Sequence, residues 1–210
     1  MRPGLPTNRG FSLIELIVVT VILGIMAAIL SPMLQSSLTA YDKTLGDVVV
    51  LDKLRYATER IAREIRGVQY ASSTTTTPTN CGESTPTTDH YCIFVMDPTR
   101  LQFRRSYTDA AGIPTLRTVT IGSTSSTVTL AYSDINAGTP QVLTDELAAA
   151  GNLAFTYYRQ DGTTTATLAQ NSTCTITPTC VGYIEVNLTL THNGNPYTQR
   201  TRIGLRTPPL

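Results

Sequence analysis

Residues Gly10 to Leu30 read G-FSLIELIVVTVILGIMAAIL, and the architecture of the chain turns on them. From Phe11 onward the stretch is 20 residues long and almost wholly apolar. As a helix it spans about 30 Å, the thickness of a bilayer's hydrocarbon core. One charge interrupts it, Glu15. The ten residues before it, MRPGLPTNRG, are polar and carry Arg2 and Arg9, and no further Lys or Arg appears until Lys43. That asymmetry keeps the amino end in the cytoplasm and sends the remainder outward.

A cleaved secretory signal fits poorly. The apolar run exceeds the usual ~7–15 residues, and no A-x-A site closes it. A plain membrane anchor leaves Glu15 unexplained, because a carboxylate inside the bilayer costs roughly 2.5–3.5 kcal/mol on insertion scales. A cut between Gly10 and Phe11 changes the balance. Phe11 then carries a free α-amino group one helical turn from Glu15, and both that amine and the helix N-terminus are positive. A neighbouring subunit's amine can pair with Glu15 in the same way. Two helices packed side by side then satisfy the acid at one axial offset only, and the costly charge becomes a registry device.

Gly10-Phe11-Ser12-Leu13-Ile14-Glu15-Leu16 resembles the type IV prepilin signature: a short basic leader, Gly before an aromatic residue, a glutamate four residues on, and an apolar helix. The resemblance implies cleavage after Gly10 by a prepilin peptidase, N-methylation of Phe11, and Glu15 as the assembly residue. It implies a pilin fold, in which a long helix lies on an antiparallel sheet. It also implies partners: other pilin or pseudopilin subunits, an inner-membrane assembly platform, and the lipid bilayer before assembly. Gly24 and Pro32 both weaken a helix interior. In filaments of this family the segment between such positions can lose helicity on packing. Membrane helices also carry Gly freely, and Pro32 can instead mark a bend at the membrane surface.

After Pro32 the helical period resumes. Val50, Leu51, Leu54, Ala57, Thr58, Ile61, Ile65 and Val68 recur at spacings of three and four and predict one apolar stripe. Glu59 with Arg63 stands four apart as a helix-supporting pair, Arg60 with Glu64 has the reverse order, and Gly67 is the expected stop. The run LDKLRYATERIAREIR, Leu51 to Arg66, resembles the post-membrane helix of larger minor pilins, among them J-type pseudopilins and the minor pilins of mannose-sensitive haemagglutinin pili.

The period then changes to two. Phe103, Arg105 and Tyr107 alternate with polar neighbours, as do Val128, Leu130 and Tyr132, then Leu153, Phe155 and Tyr157, and finally Ile184, Val186, Leu188 and Leu190. Asp161-Gly162 and Asn193-Gly194 are hairpin signals, the second leading into Tyr197, Gln199, Thr201, Ile203 and Leu205. The stretch ASSTTTTPTN from Ala71 reads as a surface loop. The fold class is therefore α+β, pilin-like, with the second half of one long helix packed on an antiparallel head. The expected organisation is a leader at 1–10, a transmembrane and assembly helix at 11–33, an amphipathic helix at 34–70, and a β-rich periplasmic or extracellular head at 71–210.

Four cysteines suit two disulfides in an oxidising compartment. Local pairing, Cys81-Cys92 and Cys174-Cys180, is favoured because each pair brackets a turn-rich loop. A zinc site is disfavoured, since the usual spacing of two to four residues is missing.

Composition excludes several classes. Of 210 residues, 16 are Lys or Arg and 15 Asp or Glu, a net charge of +1, which suits neither a strongly basic nucleic-acid binder nor an acidic disordered tail. Thr is roughly one residue in six and favours strands. His90 and His192 belong to no nucleophile or metal motif, Asp89-His90 reads as a polar loop, and no glycine-rich phosphate loop is present. No catalytic residue or cofactor is expected. The sequons at Asn171 and Asn187 read as chance matches. Arg200, Arg202 and Arg206 can share one strand face, while Arg104 and Arg105 should point to opposite faces. A solvated strand face, or salt bridges to a neighbouring subunit, explains such residues better than nucleic-acid binding. Taken together, these residues lead to a non-enzymatic minor pilin or pseudopilin of a type IV pilus or type II secretion filament. The alternatives are a major pilin, or a pilin whose head binds DNA or a surface receptor.

Overall fold

The computed structural model describes residues 12–71, 81, 90–109, 111–135, 138–159, 162 and 181–205. The chain divides into two compact units, Met1–Asp47 and Val48–Leu210. Helix α1 runs from Leu13 to Arg66, 54 residues, and passes through Pro32 without a break in its α-helical assignment. Proline has no N–H to donate to the carbonyl of Ala28, so one rung of the ladder is missing there.

In the second unit α1 buries Val50, Leu54, Ala57, Ile61 and Ile65. Their three- and four-residue spacing puts them on one face. Burying each of the larger ones contributes about 1.5–3 kcal/mol. Leu51 departs from the expected stripe and is 49% exposed. It lies about 100° around the helix from Val50, off the line through Leu54 and Ile61. Glu64, four residues after Arg60, lies 3.2 Å from it and is buried. Glu59 pairs with Arg55 at 2.8 Å rather than with Arg63.

Among the described residues ten strands follow the helix: β1 Tyr70–Ala71, β2 His90–Tyr91, β3 Ile93–Met96, β4 Arg100–Thr108, β5 Pro114–Ser123, β6 Val128–Tyr132, β7 Gln141–Thr144, β8 Leu153–Arg159, β9 Val181–His192 and β10 Asn195–Gly204. His90 thus lies in a strand rather than in the loop expected for it. The strands form a five-stranded sheet β3-β4-β5-β6-β7, a three-stranded sheet β10-β9-β8 and the pair β1-β2. Every pairing is antiparallel. The two larger sheets are joined where Phe155 N–H donates to the Pro98 carbonyl at 2.7 Å and the Tyr157 hydroxyl to the Asp97 carbonyl at 2.9 Å.

One core connects the helix face to both sheets. It includes Phe103 of β4, Val119 and Ile121 of β5, Leu130 of β6, Phe155 of β8, and the row Ile184, Val186, Leu188 and Leu190 of β9. The alternation read from the sequence is what places that row on one face. The β9–β10 turn is Asn193-Gly194, with φ of 49° and 79°, values that favour Asn and Gly and suit a tight two-residue hairpin. The result is a pilin-like α+β fold, with one long N-terminal helix packed against antiparallel sheets.

Candidate assembly helix and the charged contacts of the head

Ser12 precedes the helix and its carbonyl accepts from Glu15 N–H at 3.0 Å and Leu16 N–H at 3.2 Å. Glu15 therefore sits in the first turn, where a carboxylate is favoured by the exposed N–H groups. Ser12 and Glu15 also stand at capping-box spacing, a local role that the sequence reading did not consider. Gly10 and Phe11 lie outside the described residues. Gly24 meets nothing within 4 Å of where a Cβ would stand.

From Leu13 to Leu30 the large apolar side chains are exposed, Leu13 at 76% and Ile29 at 62% among them. Among the described residues this is the one helix long and apolar enough to cross a membrane. Four of its hydroxyls donate to carbonyls of the preceding turn. Thr20 donates to the Ile17 carbonyl at 2.9 Å, Ser36 to Met33 at 3.0 Å, Thr39 to Gln35 at 2.9 Å and Thr44 to Ala40 at 2.8 Å. A hydroxyl bonded in this way can enter an apolar environment without an orphaned donor.

Five arginines of the head pair within it. Arg105 and Arg104 leave β4 on opposite faces, as expected. Arg105 reaches Glu64 at 2.6 Å, while Arg104 donates to the Cys81 carbonyl and stacks 5.2 Å from the Phe94 ring. Arg117 lies 3.9 Å from the Tyr107 ring and 2.6 Å from Asp134. Arg200 and Arg202 do share a face and converge on the buried Glu185. Burial alone would raise the Glu185 pKa, but the hydrogen bonds from Arg200 and Arg202 outweigh it and hold the carboxyl below its ordinary range. Arg206 lies outside the described residues.

Lys53 is held by Glu146 at 2.8 Å and Asp145 at 3.1 Å. Hydrogen bonds to Glu146 and then Asp145 raise its pKa, and Asp145 is lowered in return, chiefly by Lys53. Glu64 is a buried acid that the apolar stripe read from the sequence does not include. Its position was legible, since it falls three residues after Ile61 and four before Val68, on the buried side.

Cys81 and Cys92 are joined by a disulfide with Cα atoms 5.2 Å apart. Cys174 and Cys180 lie outside the described residues. Asn187 sits in the middle of β9 with its Oδ1 buried, so its sequon is not presented for modification. Among the described residues no group of three His, Cys, Asp or Glu is placed to hold a metal ion.

An apolar helix open along its length, an acid in its first turn and a β head define the class as pilin-like. Residues 5–31 match a family model described as the prokaryotic N-terminal methylation motif. That motif marks a type IV prepilin-like protein. No curated protein matches the chain in sequence.

Proposed function

We propose that the chain is a minor pilin or pseudopilin, a structural subunit rather than an enzyme. It waits in the bacterial inner membrane through residues 11–33, with residues 1–10 on the cytoplasmic side and the head outside. Prepilin peptidase cuts after Gly10, Phe11 is methylated, and the assembly platform draws the subunit into a type IV pilus or type II secretion filament. Apolar helices pack against one another there, and Glu15 sets the axial register against a neighbour's Phe11 amine. Gly24 and Pro32 give the packed helix its room to adjust.

The observation that carries this reading is the coincidence at 5–31. The methylation motif ends on a helix whose apolar side chains the chain itself leaves uncovered, with one acid in the first turn. The internal pairing of Arg104, Arg105, Arg117, Arg200 and Arg202 favours a structural head over a nucleic-acid-binding one. Glu15→Val tests the reading. Membrane insertion and leader cleavage should persist while incorporation into filaments falls. Normal incorporation removes Glu15 from assembly.

A further inference from the structure

The helix meets the head through a stripe that repeats every three or four residues. A slip of one turn lays Leu54 where Val50 lay and Ile65 where Ile61 lay, so much of the apolar contact is regained. Apolar burial is non-directional and discriminates poorly between such registers. Two polar contacts do not share that degeneracy.

At the last turn Glu64, 1% exposed, accepts from Arg105 of β4 at 2.6 Å and from the Tyr132 hydroxyl of β6 at 2.8 Å, with Arg60 3.2 Å away. Arg60 in turn donates to the Tyr132 hydroxyl at 2.6 Å. Three turns earlier, Lys53 is held by Asp145 and Glu146. After a slip of four residues Val68 would stand at the place of Glu64, opposite Arg105 and Tyr132 with no acceptor. Ala57 would stand at the place of Lys53. Gly67 adds a steric condition. A Cβ there would lie 2.7 Å from Arg105 Nε, so any side chain at that position would crowd Arg105 on its way to Glu64.

We propose that Glu64 and Lys53 are positioning residues that fix the axial register of α1 on its own head. Glu64 is the buried and directional member, and Lys53 the exposed and salt-screened one. The inference concerns the unit from Val48 onward alone and holds whether or not the chain enters a filament.

The test is a distance distribution by double electron–electron resonance. The full chain is held in detergent micelles, with spin labels on Glu59→Cys and Val142→Cys, both exposed positions. The native register gives one narrow peak. Glu64→Gln should add a second peak displaced by about one helical turn, ~5 Å, and Lys53→Met with Glu64→Gln should enlarge it. Gly67→Ala, which keeps every charge, should broaden or displace the peak in the same sense. Ile61→Val, which trims the apolar stripe only, should keep one peak. A single native peak in the Lys53→Met/Glu64→Gln variant overturns the proposal. So does an unfolded distribution in that variant beside unchanged single variants, because the network would then add stability without selecting register.

Discussion

Replacing Arg105 by alanine gives the sharpest test of how the helix is fastened to the sheet. Arg105 Nη1 donates to Glu64 Oε2 at 2.6 Å, while Tyr132 and Arg60 both serve Oε1. The substitution therefore leaves Oε2 of a carboxylate that is 1% exposed without its partner. A lost hydrogen bond to a charged group is worth about 1.5–3 kcal/mol, and breaking a buried pair about 3–5 kcal/mol. Arg60 and Tyr132 still hold the other oxygen, and the Arg105 side chain is itself 32% exposed, so the lower half of that span applies, about 2–3 kcal/mol. For a domain of this size each kcal/mol moves Tm by about 2–4 °C, giving a fall of roughly 4–12 °C. Near-ultraviolet circular dichroism of the full chain in detergent reads it. Combining Arg105→Leu with Glu64→Leu should recover part of the loss, because no charge is then left buried without its partner, although the Tyr132 hydroxyl gives up its acceptor. A Tm within about 2 °C of wild type in Arg105→Ala, or a double variant no better than the single, would refute the reasoning.

Other outcomes follow from the same contacts. Ile61→Ala, at a fully buried position, should cost about 2–5 kcal/mol in denaturant unfolding, whereas Leu51→Ala should stay within about 0.5 kcal/mol; equal losses would contradict the assignment of the buried face. Replacing Cys81 and Cys92 by serine opens a loop of sequence separation 11 and should remove about 3 kcal/mol on the chain-entropy estimate, read by the same unfolding curves. Glu185 and Asp145 have folded pKa values below their ordinary 4.5 and 3.8. Their contribution is present above those values and fades as pH falls through the lower folded ones, so Tm should hold between pH 7 and 5 and drop below about 4.5. A decline that begins at pH 6 would assign acid sensitivity to other groups.

The long helix and the strands β4, β6, β8, β9 and β10 were legible because their residues carry the period of the element they form. Strand β5 was not. Of its ten residues only Val119 and Ile121 are buried, and its inward Arg117 is accommodated by stacking on Tyr107 and Tyr132 of the neighbouring strands β4 and β6, a contact that the residue pattern of β5 itself does not announce. Strand β7 hides for the opposite reason: Val142 is exposed while Thr144 is buried. Glu64 shows the same limit within the helix. Its spacing marked the buried side, but its charge argued for solvent, and the partners that reverse the argument come from β4 and β6. The assembly helix was the easiest part to read, since a charge in an apolar run demands a reason whatever the tertiary structure.

The amino terminus of the mature protein decides the central claim. Mass spectrometry of the chain purified from cells should show a species beginning at N-methylated Phe11, with residues 1–10 gone. A protein that keeps Met1 while entering filaments normally, or one that begins after Ser31, contradicts the account.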